Sequence, residues 1–191
     1  MDELIQEFTV ERIGKSGTKF DPPKARWFNQ QYLHAQTPEQ HAVYLQTDLK
    51  ANEIEVSDAY AAEVCTLVKD RTVFAGDFWK ESEFIFRRPT AYDEAVATSK
   101  WSADAVTVLN AFVEGLAGKE SILAEDAKHL LHDAAESRGI KVGKVMQAIR
   151  LAITGRGAGP DLMHIIQLLG PAEVAARATL AVEVLTVVEK V

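Results

Sequence analysis

Cysteine is nearly missing from this 191-residue chain: Cys65 stands alone, so no intrachain disulfide can form and no zinc cluster can be built from thiolates. Long hydrophobic runs are missing too. No stretch approaches the about 18 continuous apolar residues of a membrane span. The first residues, MDELIQEF, lack a basic n-region and an apolar h-region, so no signal peptide is expected there. Alternating strand patterns are scarce, as are internal repeats and low-complexity segments. Basic charge is in deficit, with 21 Lys and Arg against 28 Asp and Glu and a formal charge of -7, which argues against indiscriminate nucleic-acid binding. These features lead to the expectation of a cytoplasmic, monomeric protein with no membrane contact.

Catalytic signatures are equally sparse. GKSG at Gly14 to Gly17 resembles part of a phosphate loop, but Thr9 stands where the first glycine belongs and no strand precedes it. Gly118-Lys119 fails as well, because Glu120 follows where Ser or Thr is required. No nucleophile-elbow pattern occurs. His129 and His132 lie three apart on one predicted helix with Asp133 alongside, but metal ligation needs a third ligand of matching geometry, and a polar-face pair is the commoner reading. No catalytic residue and no metal site is assigned.

What is present is helical periodicity over nearly the whole chain. Thr37-Pro38 reads as an N-cap followed by proline at the first helical position, opening a helix to about Leu49. Ser57 starts another, and Ser102 caps a third carrying Val106, Leu109, Val113 and Leu116. A helix from Ala124 ends at Gly139, a natural C′ residue, and Pro171 opens the last long helix. The expected fold is all-α, with nine or ten helices. The expected organisation is a connector over residues 1–35, leading to a helix at Pro23, then a first helical subdomain over 36–90 and a second over 91–191.

One local reversal of sign stands out. Ser137 to Pro160 holds no Asp or Glu across 24 residues, yet carries Arg138, Lys141, Lys144, Arg150 and Arg156. Within it, Val142, Val145, Met146, Ile149 and Ile153 make one apolar stripe, with Lys141 and Lys144 pointing away. Arg150 falls about 40° from Met146 at the stripe's edge, either a snorkelling stem or a guanidinium pre-positioned to fork onto a base or phosphate. Gly155, Gly157 and Gly159 allow close backbone approach, and Pro160 fixes the exit into a fresh helix N-terminus. Lys69-Asp70-Arg71 ends the Ser57 helix, where cations suit the helix dipole. In Phe20 to Leu33, Lys24 and Arg26 lie among Trp27, Phe28 and Tyr32, a mixture that serves RNA or, more commonly, a core helix with a basic edge.

Two motifs carry a resemblance. ERIGKSGTKFDPPKARWFNQQYL, through Glu11, Arg12, Lys15, Ser16, Phe20, Asp21, Lys24, Trp27, Asn29 and Tyr32, resembles the segment that follows the catalytic domain in bacterial glutamyl-tRNA synthetases. GIKVGKVMQAIRLAITGRGAGPDLMHIIQLLG resembles that family's closing motif through Lys141, Gly143, Arg150, Ala152, Ile153, Gly155, Gly159, Pro160, Leu162, Leu169 and Gly170. The resemblance implies the C-terminal anticodon-binding part of a class I synthetase. Its HIGH and KMSKR signatures and any nucleotide-binding βαβ unit are missing, so ATP and Mg would belong to a catalytic domain outside this chain, and the chain alone is not expected to charge tRNA. The implied partners are the tRNA for glutamate and that catalytic domain. The implied anticodon contacts are Arg71, Arg150, Gly159, Pro160 and Leu162. Lys24 falls on the tRNA stem side, and Lys141 and Lys144 supply attraction for the backbone. The rival reading is a synthetase-derived helical module that binds protein.

Overall fold

The computed structural model describes residues 2–10 and 19–187. The GKSG segment and the motif residues Glu11, Arg12, Lys15 and Ser16 lie outside the described residues. The described residues form ten α-helices and no strand. They are α1 (Asp2–Glu7), α2 (Pro22–His34), α3 (Pro38–Ala51), α4 (Asp58–Val68), α5 (Asp77–Phe86), α6 (Glu94–Lys100), α7 (Ala103–Leu116), α8 (Ala124–Glu136), α9 (Val142–Thr154) and α10 (Leu162–Val184), with a 3-10 turn at Lys69–Arg71. The all-α expectation holds.

Polar residues set most of the boundaries by satisfying the free N–H groups of a first turn. Thr37 and Gln40 form a capping box on α3. Ser57 accepts from Tyr60 N–H on α4, and Ser102 from Ala105 N–H on α7. Asp21 caps α2 with Pro22 at its first position, one residue earlier than expected. Helix α8 stops at Glu136, and Gly139 takes a φ of 66° just beyond it. The Leu162–Val184 span is apolar enough, at a mean hydropathy of 1.3, to match a membrane span by length and composition. Gly170 breaks it with φ 75° and ψ 161°, so Pro171 does open the last helical segment.

Two groups of helices pack on one continuous apolar cluster. Helices α3, α4 and α5 touch one another through Leu45, Leu49, Val64, Cys65 and Phe78. Burial pushes the Cys65 thiol up to about 12, which leaves it an unreactive core residue. Helices α7 to α10 pack mutually around Phe112, Leu131, Ile149 and Ile166, with α6 lying along α9. Helix α10 reaches both groups.

The joint between the groups is polar at its centre. Arg177 is only 1% exposed. Its Nη1 donates to Phe84 O at 2.6 Å and Ile153 O at 3.0 Å, and its Nη2 donates to Ile85 O at 3.1 Å. These carbonyls end α5 and α9, where backbone acceptors have no helical partner. Glu173 takes the Arg177 Nε at 2.8 Å and also pairs with Arg88 at 2.7 Å. The bond from Arg88 is the leading reason that the Glu173 carboxyl lies below its ordinary value of 4.5. Tyr60 Oη adds a bond to Leu168 O at 3.1 Å. The apolar periodicity of the last helix did not single out Arg177.

Arg177→Ala should cost roughly 2–4 kcal/mol in urea unfolding, because it leaves three buried carbonyls without a donor and opens a cavity at the joint. A loss under about 1 kcal/mol would show that the joint does not depend on it. Glu173 has a depressed value, so its contribution is full above pH 4.5 and fades as pH falls through the folded-state value. Glu173→Gln should therefore be less stable than the parent at pH 7, with the gap narrowing below pH 4.5. A gap that is constant with pH would contradict that assignment.

Candidate nucleic-acid interface

Arg71 ends the 3-10 turn that follows α4, and its position is held from three sides. Its Nε donates to Glu81 on α5 at 2.9 Å, while the side chain stays 45% exposed. The next backbone segment is tied to α2: Asn29 donates to Val73 O, and His34 and Gln30 reach Thr72 O at 3.1 and 3.4 Å. Asp77 accepts from the N–H groups of Val73 and Phe74, both at 2.9 Å. Arg71 thus projects from an anchored turn, not a loose loop.

Arg150 comes from the other helical group. It is half-buried near the end of α9, and its Nη1 donates to Pro160 O at 2.7 Å, drawing the 155–160 loop back onto the helix. Its guanidinium is held below its ordinary value, chiefly by burial; Asp161 opposes that shift and the charge of Arg71 adds to it. The charge of Arg71 thus reaches Arg150, which puts the turn after α4 and the end of α9 within electrostatic range of each other across the joint. Asp161 caps α10, accepting from His164 N–H at 3.0 Å and from the His164 ring at 2.9 Å. Burial alone would raise the Asp161 carboxyl, but these bonds outweigh it and lower it.

The loop glycines divide in role. Gly155 caps α9 in the left-handed region at φ 73°, and a Cβ there would meet Ala91 O at 2.7 Å. At Gly157 a Cβ would meet Val96 Cγ2 at 2.3 Å, so both glycines serve close approach to the protein's own residues 89–96. Gly159 does lie at the site, with Arg150 Nη1 3.2 Å from the position of a Cβ. Pro160 is buried and its carbonyl is taken by Arg150, while the Leu162 side chain is only 2% exposed and packs in the core. Only backbone groups of Leu162 are available to a ligand.

The positive stretch does not form a single face. Arg138 turns back on Ala134 O at 3.2 Å. Arg156 lies 5.1 Å over the Phe84 ring and reaches Lys80 O at 3.4 Å, which makes it part of the joint. Lys141 and Lys144 line a cleft with Lys100, Trp101 and Ser102, on the flank of α9 away from Arg150. Lys24 is separate again: its Nζ sits 5.9 Å from the Phe28 ring on α2. Most of that helix lies outside the core, with Trp27 54% and Tyr32 74% exposed and Leu33 buried at its end. His132, Asp133 and Glu136 bring ligand atoms within 4.8 Å of one another on an exposed face, and His129 pairs with Glu125 at 3.5 Å instead.

Comparison with known proteins adds an independent line. The family model described as "Anticodon binding domain" matches residues 31–182. The glutamate–tRNA ligase of Cytophaga hutchinsonii is 46% identical over 192 residues, covering 100% of this chain and 37% of that protein. The glutamate–tRNA ligase of Amoebophilus asiaticus is 39% identical over 96% of this chain and 36% of its own length. Among solved structures, a glutamate tRNA ligase from Elizabethkingia meningosepticum, in complex with its amino acid, superposes with a TM-score of 0.89 at 33% identity. It covers 97% of this chain and 37% of that one. The chain thus spans little more than a third of the length of these relatives.

The loop contacts predict a contrast between neighbouring glycines. Gly157→Ala should lose roughly 1–3 kcal/mol in thermal or urea unfolding, because Val96 is a stiff, packed side chain. Gly159→Ala meets only the end of the Arg150 side chain, at 3.2 Å, and should lose less than about 1 kcal/mol. Equal losses would mean that the loop is not seated on α6.

Proposed function

The chain belongs to the anticodon-binding-domain family, and from that premise we propose that it is the anticodon-reading part of a glutamate–tRNA ligase. In this reading it recognises the anticodon arm of the tRNA for glutamate and directs ATP-dependent glutamylation by a catalytic domain carried elsewhere in the ligase. The observation that carries the proposal is Arg150, half-buried and held on Pro160 O at the 155–160 loop, with the anchored Arg71 of the other helical group within electrostatic reach. Anticodon bases are single-stranded, so they can be splayed out, stacked and hydrogen-bonded along their pairing edges. A guanidinium supplies the planar fork for a base edge or phosphate. Arg150 is already ordered by Pro160 O, so less side-chain freedom is lost on binding.

The remaining assignments follow from charge and position. Lys24 contacts the stem side, and the Lys141 and Lys144 cleft attracts backbone phosphate on a second flank. The exposed aromatic residues of α2, Trp27 and Tyr32, face the rest of the ligase. ATP and Mg act in the catalytic domain, and the setting is cytoplasmic. A net charge of -7 suits an RNA partner that must be released and that needs only local positive loci.

Binding to glutamate tRNA should weaken at least about tenfold when the anticodon is substituted. Arg150→Ala or Arg71→Ala should bring the cognate tRNA close to that weakened level. Lys24→Ala and Lys144→Ala should instead weaken both RNAs alike and flatten the salt dependence by roughly one unit of slope per residue. Equal binding to both transcripts, with neither arginine variant having an effect, would replace this reading with the protein-binding module.

A further inference from the structure

Helices α4 and α10 run antiparallel at the edge of the arginine locus. Tyr60 meets Leu168 at one end, and Arg71 acts on Arg150, the neighbour of Asp161, at the other. Between these ends lies a cavity of about 230 Å³ lined by Glu63, Thr66, Leu67, His164, Gln167 and Leu168. Its floor is apolar, from the half-buried Leu67 and Leu168, and its rim is polar. Gln167 Oε1 is committed elsewhere, accepting from Ala124 N–H at 2.8 Å, and the Thr66 hydroxyl donates to Ala62 O at 2.9 Å. The His164 ring is fixed by Asp161 at 2.9 Å. The Glu63 carboxylate has no ion-pair partner among the described residues.

We infer that this groove is a nucleobase subsite continuous with the arginine locus, taking a base that presents an exocyclic amine to Glu63. The inference rests on the anticodon-reading proposal above. The apolar floor suits the face of a base, and the near edge of the groove, Leu67 and His164, lies about one helical turn from Arg71 and from Asp161, with Glu63 about one turn further along α4. An ionised carboxylate is acceptor-only, so it accepts from an amino group and repels a carbonyl at the same position. The arginines offer only donors, so Glu63 gives the strand a second and opposite criterion. It also accounts for an acidic side chain beside a locus that binds a polyanion. Of the side chains that line the groove, Glu63 is the one carboxylate, which makes it the anionic acceptor there.

The test uses the 191-residue chain and the anticodon stem-loop hairpin of glutamate tRNA. Amine-bearing loop bases are exchanged one at a time for their carbonyl counterparts: cytosine for uracil, adenine for hypoxanthine. One exchange should weaken binding about tenfold with the parent chain and less than about threefold with Glu63→Gln, because the amide adds a donor. Thr66→Trp, at an exposed position that leaves the core intact, should weaken the unmodified hairpin and erase the response to that same exchange. Unmodified losses with Glu63→Gln at every position, in a hairpin that still binds and still responds to Arg150→Ala, would overturn the subsite and leave anticodon reading standing. No binding of the hairpin to the parent chain at low salt would overturn both.

Discussion

A buried guanidinium holds the two helical groups in register. Arg177 sits on α10 and bonds the carbonyls that end α5 and α9, so one side chain fixes the spacing of two helix C-termini. Helix α5 carries Glu81, which holds Arg71, and α9 carries Arg150. The distance between the two arginines is therefore set by the joint and not by either group alone. A buried charge is expensive unless its hydrogen bonds are complete, and here every nitrogen of Arg177 has an acceptor. Such a clamp is directional in a way that apolar packing is not, because a shift of one helix would strand carbonyls that have no other partner.

The surface follows from that arrangement. Five cations in the acid-free stretch have four different fates. Arg138 closes its own helix end, Arg156 joins the joint, and Arg150 pins its loop. Lys141 and Lys144 look out on another flank. Acidic residues near the locus also have definite work: Glu81 orients Arg71, and Asp161 caps α10 beside Arg150. Specific reading of a nucleic acid needs few, well-placed cations, whereas a continuous basic face would bind any strand.

Much of this was legible in the chain itself, for local reasons. Capping residues and prolines write helix starts directly, which is why Thr37, Ser57, Ser102 and Pro171 were readable to within a residue. Arg150 was visible as a cation at the edge of an apolar stripe. Arg177 was not, because a charged residue on an apolar helix gives no sign of whether its carbonyl partners, 24 and 93 residues away, will be there. The glycines of GRGAGP are legible as points of close backbone approach, but what approaches Gly155 and Gly157 is tertiary and comes from residues 89–96. The influence of Arg71 on Arg150 likewise acts across the joint and is reachable by no periodicity. Asn29 and Asp21, conspicuous in the first motif, turn out to hold the Arg71 segment and the start of α2.

The central claim is that Arg71 and Arg150 act together on one RNA strand. A double-substitution cycle tests it most directly, with affinities measured for the parent, each single alanine variant and the pair, on glutamate tRNA and on an anticodon-substituted transcript. The account predicts a coupling of about 1 kcal/mol or more on the cognate RNA that vanishes on the substituted one. Additive losses of equal size on both RNAs would contradict it.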